Sequence, residues 1–370
     1  MTALRSPAGP PSGAPTPSGT RVVVELRGCT RDFGGLRAVD GLDLSVREGE
    51  LLSLLGPSGC GKTTTLNLIA GFVAPTAGRV LIDDQDVTAR PPHERGLGVV
   101  FQSYALFPHL SVFENVAFGL RERRVSEAEI RRRVGEALAL VRLGEEGARR
   151  PRQLSGGMQQ RAALARALVY TPRVLLLDEP LAALDRKLRE EMRTELREIL
   201  RSVGITAIFV THDQAEALSL SDRVAVMNRG RIEQLGAPRE VYERPATRFV
   251  ADFVGASSRV RGRAVAADRV ELGPGQSIEV RAGRPLSVGA TVELGIRPER
   301  VVVAPPDGPR VNRIAGRVTR LTYLGAQTEV TVEIAGGASV LGLVPEPSPV
   351  SLAVGREVTL ALPPDAFLVL

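Results

Sequence analysis

The chain has no tryptophan, only two cysteines and only three histidines in 370 residues. Lysine is nearly absent as well, occurring only at Lys62 and Lys187, so that 46 of the 48 basic residues are arginine. Each scarcity excludes something. Cys29 and Cys60 cannot build a disulfide framework, and a reducing, cytoplasmic setting is expected. No window approaches the ~18 uninterrupted apolar residues of a membrane span, and no apolar core near the N-terminus marks a signal peptide. The basic residues behind the net charge of +6 are scattered rather than gathered in one motif, which argues against a nucleic-acid partner. In an arginine-rich chain Lys62 is informative: a compact, flexible ammonium stands there in place of a planar guanidinium.

What is present begins with the stretch Gly56, Pro57, Ser58, Gly59, Cys60, Gly61, Lys62, Thr63, Thr64. A hydrophobic segment (Leu51, Leu52, Leu54, Leu55) precedes it and one of helical character (Leu66, Leu68, Ile69, Ala70) follows. Strand, glycine-rich loop and helix in that order form a phosphate cradle: the glycines let successive N–H groups turn toward an anion, and the helix N-terminus adds its positive end. Lys62 is then expected to reach the terminal phosphates and the Thr63 hydroxyl to ligate Mg²⁺.

Residues 1–20 are rich in Pro, Gly, Ser and Ala and are expected to be a disordered tail. Val22–Leu26 and Leu42–Val46 have strand character, and Phe33 between them offers either packing or a face for a purine. Val99-Val100-Phe101 leads into Gln102, and Arg- and Glu-rich helical patterns occupy about 111–143. Leu154-Ser155-Gly156-Gly157 opens a helix, where the bland reading is an ordinary cap and the sharper one a second anion site. The apolar run Val174–Leu177 suits a strand buried on both faces and ends in Asp178-Glu179-Pro180. Carboxylates at the carboxyl end of such a strand lie where open α/β sheets bind ligands; Asp178 is the candidate for Mg²⁺ and Glu179 for polarising a water. Thr206–Val210 is another buried strand, and His212 follows it. From about 260 helical patterns vanish and short β-rich runs recur between Gly and Pro: Ser277–Val280, Thr291–Leu294, Gln327–Ile334 and Glu357–Leu362.

Together these motifs resemble the nucleotide-binding subunits of ATP-binding cassette (ABC) transporters, over nearly all of 21–237. Gly56–Thr64 resembles Walker A, Gln102 the Q-loop, Leu154–Gly157 with Met158-Gln159-Gln160-Arg161 the signature, Val174–Pro180 Walker B, Ala183-Leu184-Asp185 the D-loop and His212 the H-loop. The resemblance implies an α/β P-loop NTPase cassette, a mixed sheet with helices plus a helical subdomain at about 103–170. A linker at 238–259 and a small all-β, OB-like regulatory (TOBE-like) domain at 260–370 would follow. It further implies ATP and Mg²⁺ as ligands, Phe33 as the adenine-stacking aromatic, Thr63, Asp178 and Gln102 at the metal, Glu179 as base and His212 at the γ-phosphate. Two copies would close head to tail, Ser155, Gly156 and Gly157 of one facing Walker A of the other, with Asp185 near the shared interface.

The C-terminal part, with Gly295-Ile296-Arg297-Pro298-Glu299, is similar to the regulatory domain of binding-protein-dependent importers. That similarity implies a peripheral ATPase on the cytoplasmic face of the membrane, two permease subunits and an extracytoplasmic binding protein. Phe101–Leu120 and Phe249–Ser257 are most similar to ATPases of spermidine/putrescine and ferric-iron importers, with sugar and aminophosphonate importers next. An exporter ATPase and a soluble ABC ATPase acting on nucleic acid are the alternatives. Against the second stand the single cassette and the lack of a long coiled-coil insertion. Three residues depart from the commonest pattern: Met158 in the signature, Ala182 in place of a D-loop serine, and Arg150 before the signature.

Overall fold

In a computed structural model, residues 21–273, 275–281, 285–304, 311–348 and 350–370 are described. The tail expected at 1–20 lies outside them. The chain divides into two compact units, Met1–Pro238 and Arg239–Leu370.

The first unit carries strands β1 (Val22–Phe33), β2 (Leu36–Arg47), β3 (Leu51–Leu55), β4 (Ala77–Ile82), β5 (Gln85–Asp86), β6 (Leu97–Val100), β7 (Val174–Asp178), β8 (Thr206–Thr211), β9 (Arg223–Asn228) and β10 (Arg231–Gly236). Its helices are α1 (Lys62–Ala70), α2 (Val112–Glu122), α3 (Glu127–Leu140), α4 (Gly156–Leu168), α5 (Arg186–Val203) and α6 (Gln214–Leu220). A four-stranded antiparallel sheet has the order β2-β1-β4-β5. A six-stranded sheet has the order β10-β9-β3-β8-β7-β6, parallel throughout except for β10.

Alternate residues of the central strands serve different cores, as a period of two requires. Val174, Leu176, Ile208 and Val210 pack with Leu66, Ile69, Val24 and Val80 on the α1 side. Leu175, Leu177, Ala207 and Phe209 pack on the opposite face with Leu164, Leu196 and Leu200, in a cluster continuous with Val116, Ile130 and Val134 of α2 and α3. The helical stretch at 111–143 is thus two helices. Ser111 starts the first with a capping box, its hydroxyl accepting from Glu114 N while the Glu114 carboxylate accepts from Ser111 N. No helix among the described residues is long and apolar enough to cross a membrane.

The second unit holds the short helix α8 (Arg248–Phe253), preceded by α7 (Pro238–Glu243), and strands β11 (Ser258–Ala266), β12 (Arg269–Gly273), β13 (Gln276–Glu279), β14 (Thr291–Ile296), β15 (Val302–Ala304), β16 (Arg313–Tyr323), β17 (Gln327–Ile334), β18 (Ser339–Pro345), β19 (Glu357–Ala361) and β20 (Phe367–Val369). They form two antiparallel five-stranded sheets, β13-β12-β11-β14-β20 and β15-β19-β16-β17-β18, around one core that includes Val260, Leu294, Ile314, Val330 and Leu360.

The segment 238–259, expected as a linker, carries α7 and α8, and from Arg239 onward it falls within the second compact unit. The cause is Arg297, 3% exposed, whose guanidinium donates to the carbonyls of Tyr242, Ala251 and Ala256 and stacks on the Tyr242 ring at 4.4 Å. Tyr242 in turn donates its hydroxyl to Glu299 at 2.5 Å, and burial, together with that carboxylate, pushes its phenol up to about 12. A buried cation held by carbonyls leaves several acceptors unpaired when it is removed. Arg297→Met should therefore lower the stability of the chain by about 2–4 kcal/mol in urea unfolding; no change would mean that the segment is held by other contacts.

Candidate nucleotide site

Because β3, β8, β7 and β6 run parallel in register, their carboxyl ends emerge along one edge. The loop 56–61 leaves β3 there, Asp178 ends β7, His212 follows β8, and Gln102 lies two residues past β6. Sequence positions more than a hundred residues apart are gathered by strand pairing alone.

The loop needs glycine at two places for steric reasons. Gly61 has φ +106°, and a Cβ there would overlap the Ala38 carbonyl oxygen; one on Gly56 would overlap the Met227 carbonyl oxygen. The loop is thus wedged against β2 and β9, and Gly230 N donates to Cys60 O at 2.9 Å. Lys62, 5% exposed, donates its ammonium to Gly56 O at 2.7 Å and Pro57 O at 2.9 Å. Both are carbonyls of the loop itself, so the side chain curls back over the concavity that its backbone encloses. Ser58, Gly59 and Thr63 are exposed, Pro57 and Thr64 half-buried, and Cys60 buried, where desolvation pushes its thiol up.

Thr63 donates its hydroxyl to Asp178 Oδ1 at 3.1 Å. Burial raises the Asp178 carboxyl, opposed by the Thr63 hydrogen bond. Two oxygens that far apart fit neighbouring corners of an octahedron with bonds of about 2.1 Å, the geometry Mg²⁺ demands. Among the described residues no cluster of three or more His, Cys, Asp and Glu could hold a metal. A cation here would be of the kind bound by one carboxylate, one hydroxyl and substrate phosphates.

Glu179 adopts φ +44°, costly for a side chain of its size, and is fixed by donation from its N–H to Val210 O at 3.0 Å. Its Oε1 lies 3.2 Å from His212 Nδ1. His212 is positioned in turn by its neighbours: the Thr211 hydroxyl donates to Glu216 at 2.6 Å, and Asp213 caps α6 by accepting from Glu216 N.

Thus Lys62, Thr63, Asp178, Glu179 and His212 stand together. Other expected residues stand apart. Gln102 is exposed and Phe33, 43% exposed, ends β1. Ser155 caps α4 by accepting from Met158 N, and Asp185 caps α5 by accepting from Leu188 N. A Cβ on Gly156 would press on Leu184, and one on Gly157 on Leu188 and Met192, so the start of α4 leaves little room beyond glycine there. Among the described residues no hydrogen bond joins 155–157 to 56–64. Sequence inspection passed over Ala38, Met227 and Gly230, which shape the loop through backbone atoms and carry no side-chain signal.

Residues 39–182 match the ABC transporter family and 294–370 the TOBE domain. A spermidine/putrescine import ATP-binding protein, PotA, of Frankia alni is 52% identical over 341 residues, covering 87% of this chain and 73% of the relative. The PotA proteins of Acidothermus cellulolyticus (54% over 305 residues, 81% and 79% covered) and Rubrobacter xylanophilus (50% over 329 residues, 87% and 86%) are similarly close. The chain belongs to the ABC transporter ATP-binding proteins. It is an ATPase of the import class, coupling ATP hydrolysis to transport. Among solved structures, the ABC cassette matches CbiO1 of Clostridium perfringens, part of the transporter complex CbiONQ, with a TM-score of 0.56 at 33% identity over 60% of this chain and 90% of that one. It also matches the dimeric cassette MJ0796 bound to ADP and Pi, with a TM-score of 0.52 at 35% identity over 58% and 99%.

The geometry of the cassette's loop separates two glycines. Gly61→Ala, which meets the Ala38 carbonyl, should weaken ATP binding at least about tenfold by calorimetry. Gly59→Ala, with positive φ but open space around it, should weaken it less. Equal losses would show that backbone angle alone, and not the wedge against β2, sets the loop.

Proposed function

We propose that this chain hydrolyses ATP in a site completed by a second copy of itself, and that the cycle energises polyamine uptake. The observation that carries the catalytic half is the continuous row Lys62, Thr63–Asp178 and Glu179–His212 along one sheet edge. The substrate rests on the PotA relatives, aligned over most of both chains.

Phe33 receives the adenine on its ring. Gly56, Pro57, Ser58, Gly59, Cys60, Gly61 and Thr64 enclose the phosphates, each of them except Pro57 offering a backbone N–H, at the positive end of α1. The Lys62 ammonium exchanges the Gly56 and Pro57 carbonyls for β- and γ-phosphate oxygens, a short swing of a flexible stem. Thr63, Asp178 and Gln102 are the residues that would hold Mg²⁺, and the ion would offset charge on the phosphates. Glu179 accepts the proton of the attacking water. The backbone bond to Val210 and the imidazole of His212 fix that carboxylate, and His212 keeps Nε2 for the γ-phosphate.

Among the described residues of one copy, no hydrogen bond ties 155–157 to the loop 56–64. Ser155, Gly156 and Gly157 of the second copy close over the γ-phosphate from the far side, an exposed serine and a helix N-terminus suited to an anion. The dimeric MJ0796 cassette is a precedent among similar folds. The contact of Gly156 with Leu184 links this segment to the D-loop, where Asp185 lies. Closure of the pair then drives two integral membrane subunits, fed by an extracytoplasmic binding protein, from the cytoplasmic face of the membrane.

One experiment tests both halves. Cells carrying the wild-type chain with its transporter should take up radiolabelled spermidine. The Glu179→Gln variant should bind ATP, turn it over at least about a hundredfold more slowly, and abolish that uptake. Spermidine uptake indifferent to the variant would contradict the substrate, and wild-type turnover would remove Glu179 from the role of base.

A further inference from the structure

Phe33 is not a free-standing ring. The Arg31 guanidinium lies over one of its faces, with Cζ 4.4 Å from the ring centroid. Arg31 Nη1 donates to the Ala74 carbonyl at 2.9 Å, which ties the cation to the segment after α1. Its Nε is shielded from solvent and has no hydrogen-bond partner. Among the described residues Arg31 makes no ion pair, whereas Arg21, Arg27 and Arg37 close by all do. An arginine without a carboxylate, held by one carbonyl and an aromatic face, is placed by the ring rather than by charge pairing.

Two consequences follow for the nucleotide. One face of Phe33 is occupied by the protein, so a base has a single face on which to stack. The ring's tilt is also fixed from behind, in a strand end that is otherwise exposed. We propose that Arg31 is a positioning residue for the purine: it holds Phe33 at the angle a stacked base needs and completes an arginine–phenylalanine–base sandwich. This rests on Phe33 being the stacking aromatic. Arg31 touches neither phosphates nor reacting atoms, so its influence falls on recognition of the base alone.

Inorganic tripolyphosphate, which has the phosphates of ATP and no base, isolates that influence. With the full chain, calorimetry yields the ratio of tripolyphosphate Kd to ATP Kd, the share of affinity due to the nucleoside. Arg31→Met, which keeps the aliphatic stem, should lower this ratio about two- to fivefold, and Arg31→Lys should restore part of it. Phe33→Ala should lower it further. An unchanged ratio in Arg31→Met with a lowered one in Phe33→Ala overturns the role of Arg31 and leaves Phe33 in place. An unchanged ratio in Phe33→Ala overturns both assignments. Equal weakening of ATP and tripolyphosphate in Arg31→Met would place the residue's effect on the phosphate loop, contrary to the proposal. Because the ratio compares two ligands on one preparation, a partly unfolded variant does not imitate the expected result.

Discussion

Parallel backbone pairing of β3, β8, β7 and β6, buried on both faces, decides where every reactive side chain of the cassette emerges. Parallel strands need crossovers, and the crossovers carry helices that cover both faces of the sheet. Once Leu55 is paired with Thr211 and Asp178 with Val210, Lys62, Thr63, Asp178, Glu179 and His212 have no other edge to occupy. The strain at Glu179 is held by the same ladder, since its N–H donates to Val210. Chemistry and core are thus set by one set of hydrogen bonds.

Much of this was legible in the residues, for identifiable reasons. Runs such as Val174–Leu177 signal a strand buried on both faces because nothing polar interrupts them, and a loop that must turn around phosphate writes itself in glycine. The β-rich run at 327–334 is a strand in the structure, and each second residue of it faces the core. The contacts made within 239–259 were not legible. The side chain that gathers this segment, Arg297, lies 41 to 55 residues later and acts on carbonyls, which leave no trace in a sequence. The same holds for Ala38 and Met227 behind the phosphate loop. The pairing of Arg31 with Phe33 is intermediate: the spacing suits a strand end, but only the structure reveals that the guanidinium stacks.

On the proposed reading, a single copy carries one half of a nucleotide site and, among the described residues, keeps the other half away from its own phosphate loop. Phosphate loop, the Thr63 and Asp178 oxygens and the Glu179–His212 pair occupy one edge, while the capped start of α4 lies close to Leu184 and to Leu188 and Met192 of α5. Ser155 and Gly156 are exposed at that helix start, and no hydrogen bond among the described residues ties them to the loop of their own chain. The proposed function has them meet the loop of another. The proposed head-to-tail dimer would bring the start of α4 of one copy to the phosphate loop of the other, as symmetric pairing of two identical chains allows.

Mixing two inactive halves tests this division most directly. One preparation carries Lys62→Ala and the other Ser155→Arg, both with Glu179→Gln so that bound ATP persists. Analytical ultracentrifugation with ATP and Mg²⁺ should find each preparation monomeric alone and a dimer in the mixture, where the intact loop of one chain meets the intact signature of the other. A mixture that stays monomeric, or a dimer formed by the Ser155→Arg preparation alone, would contradict a site shared between copies.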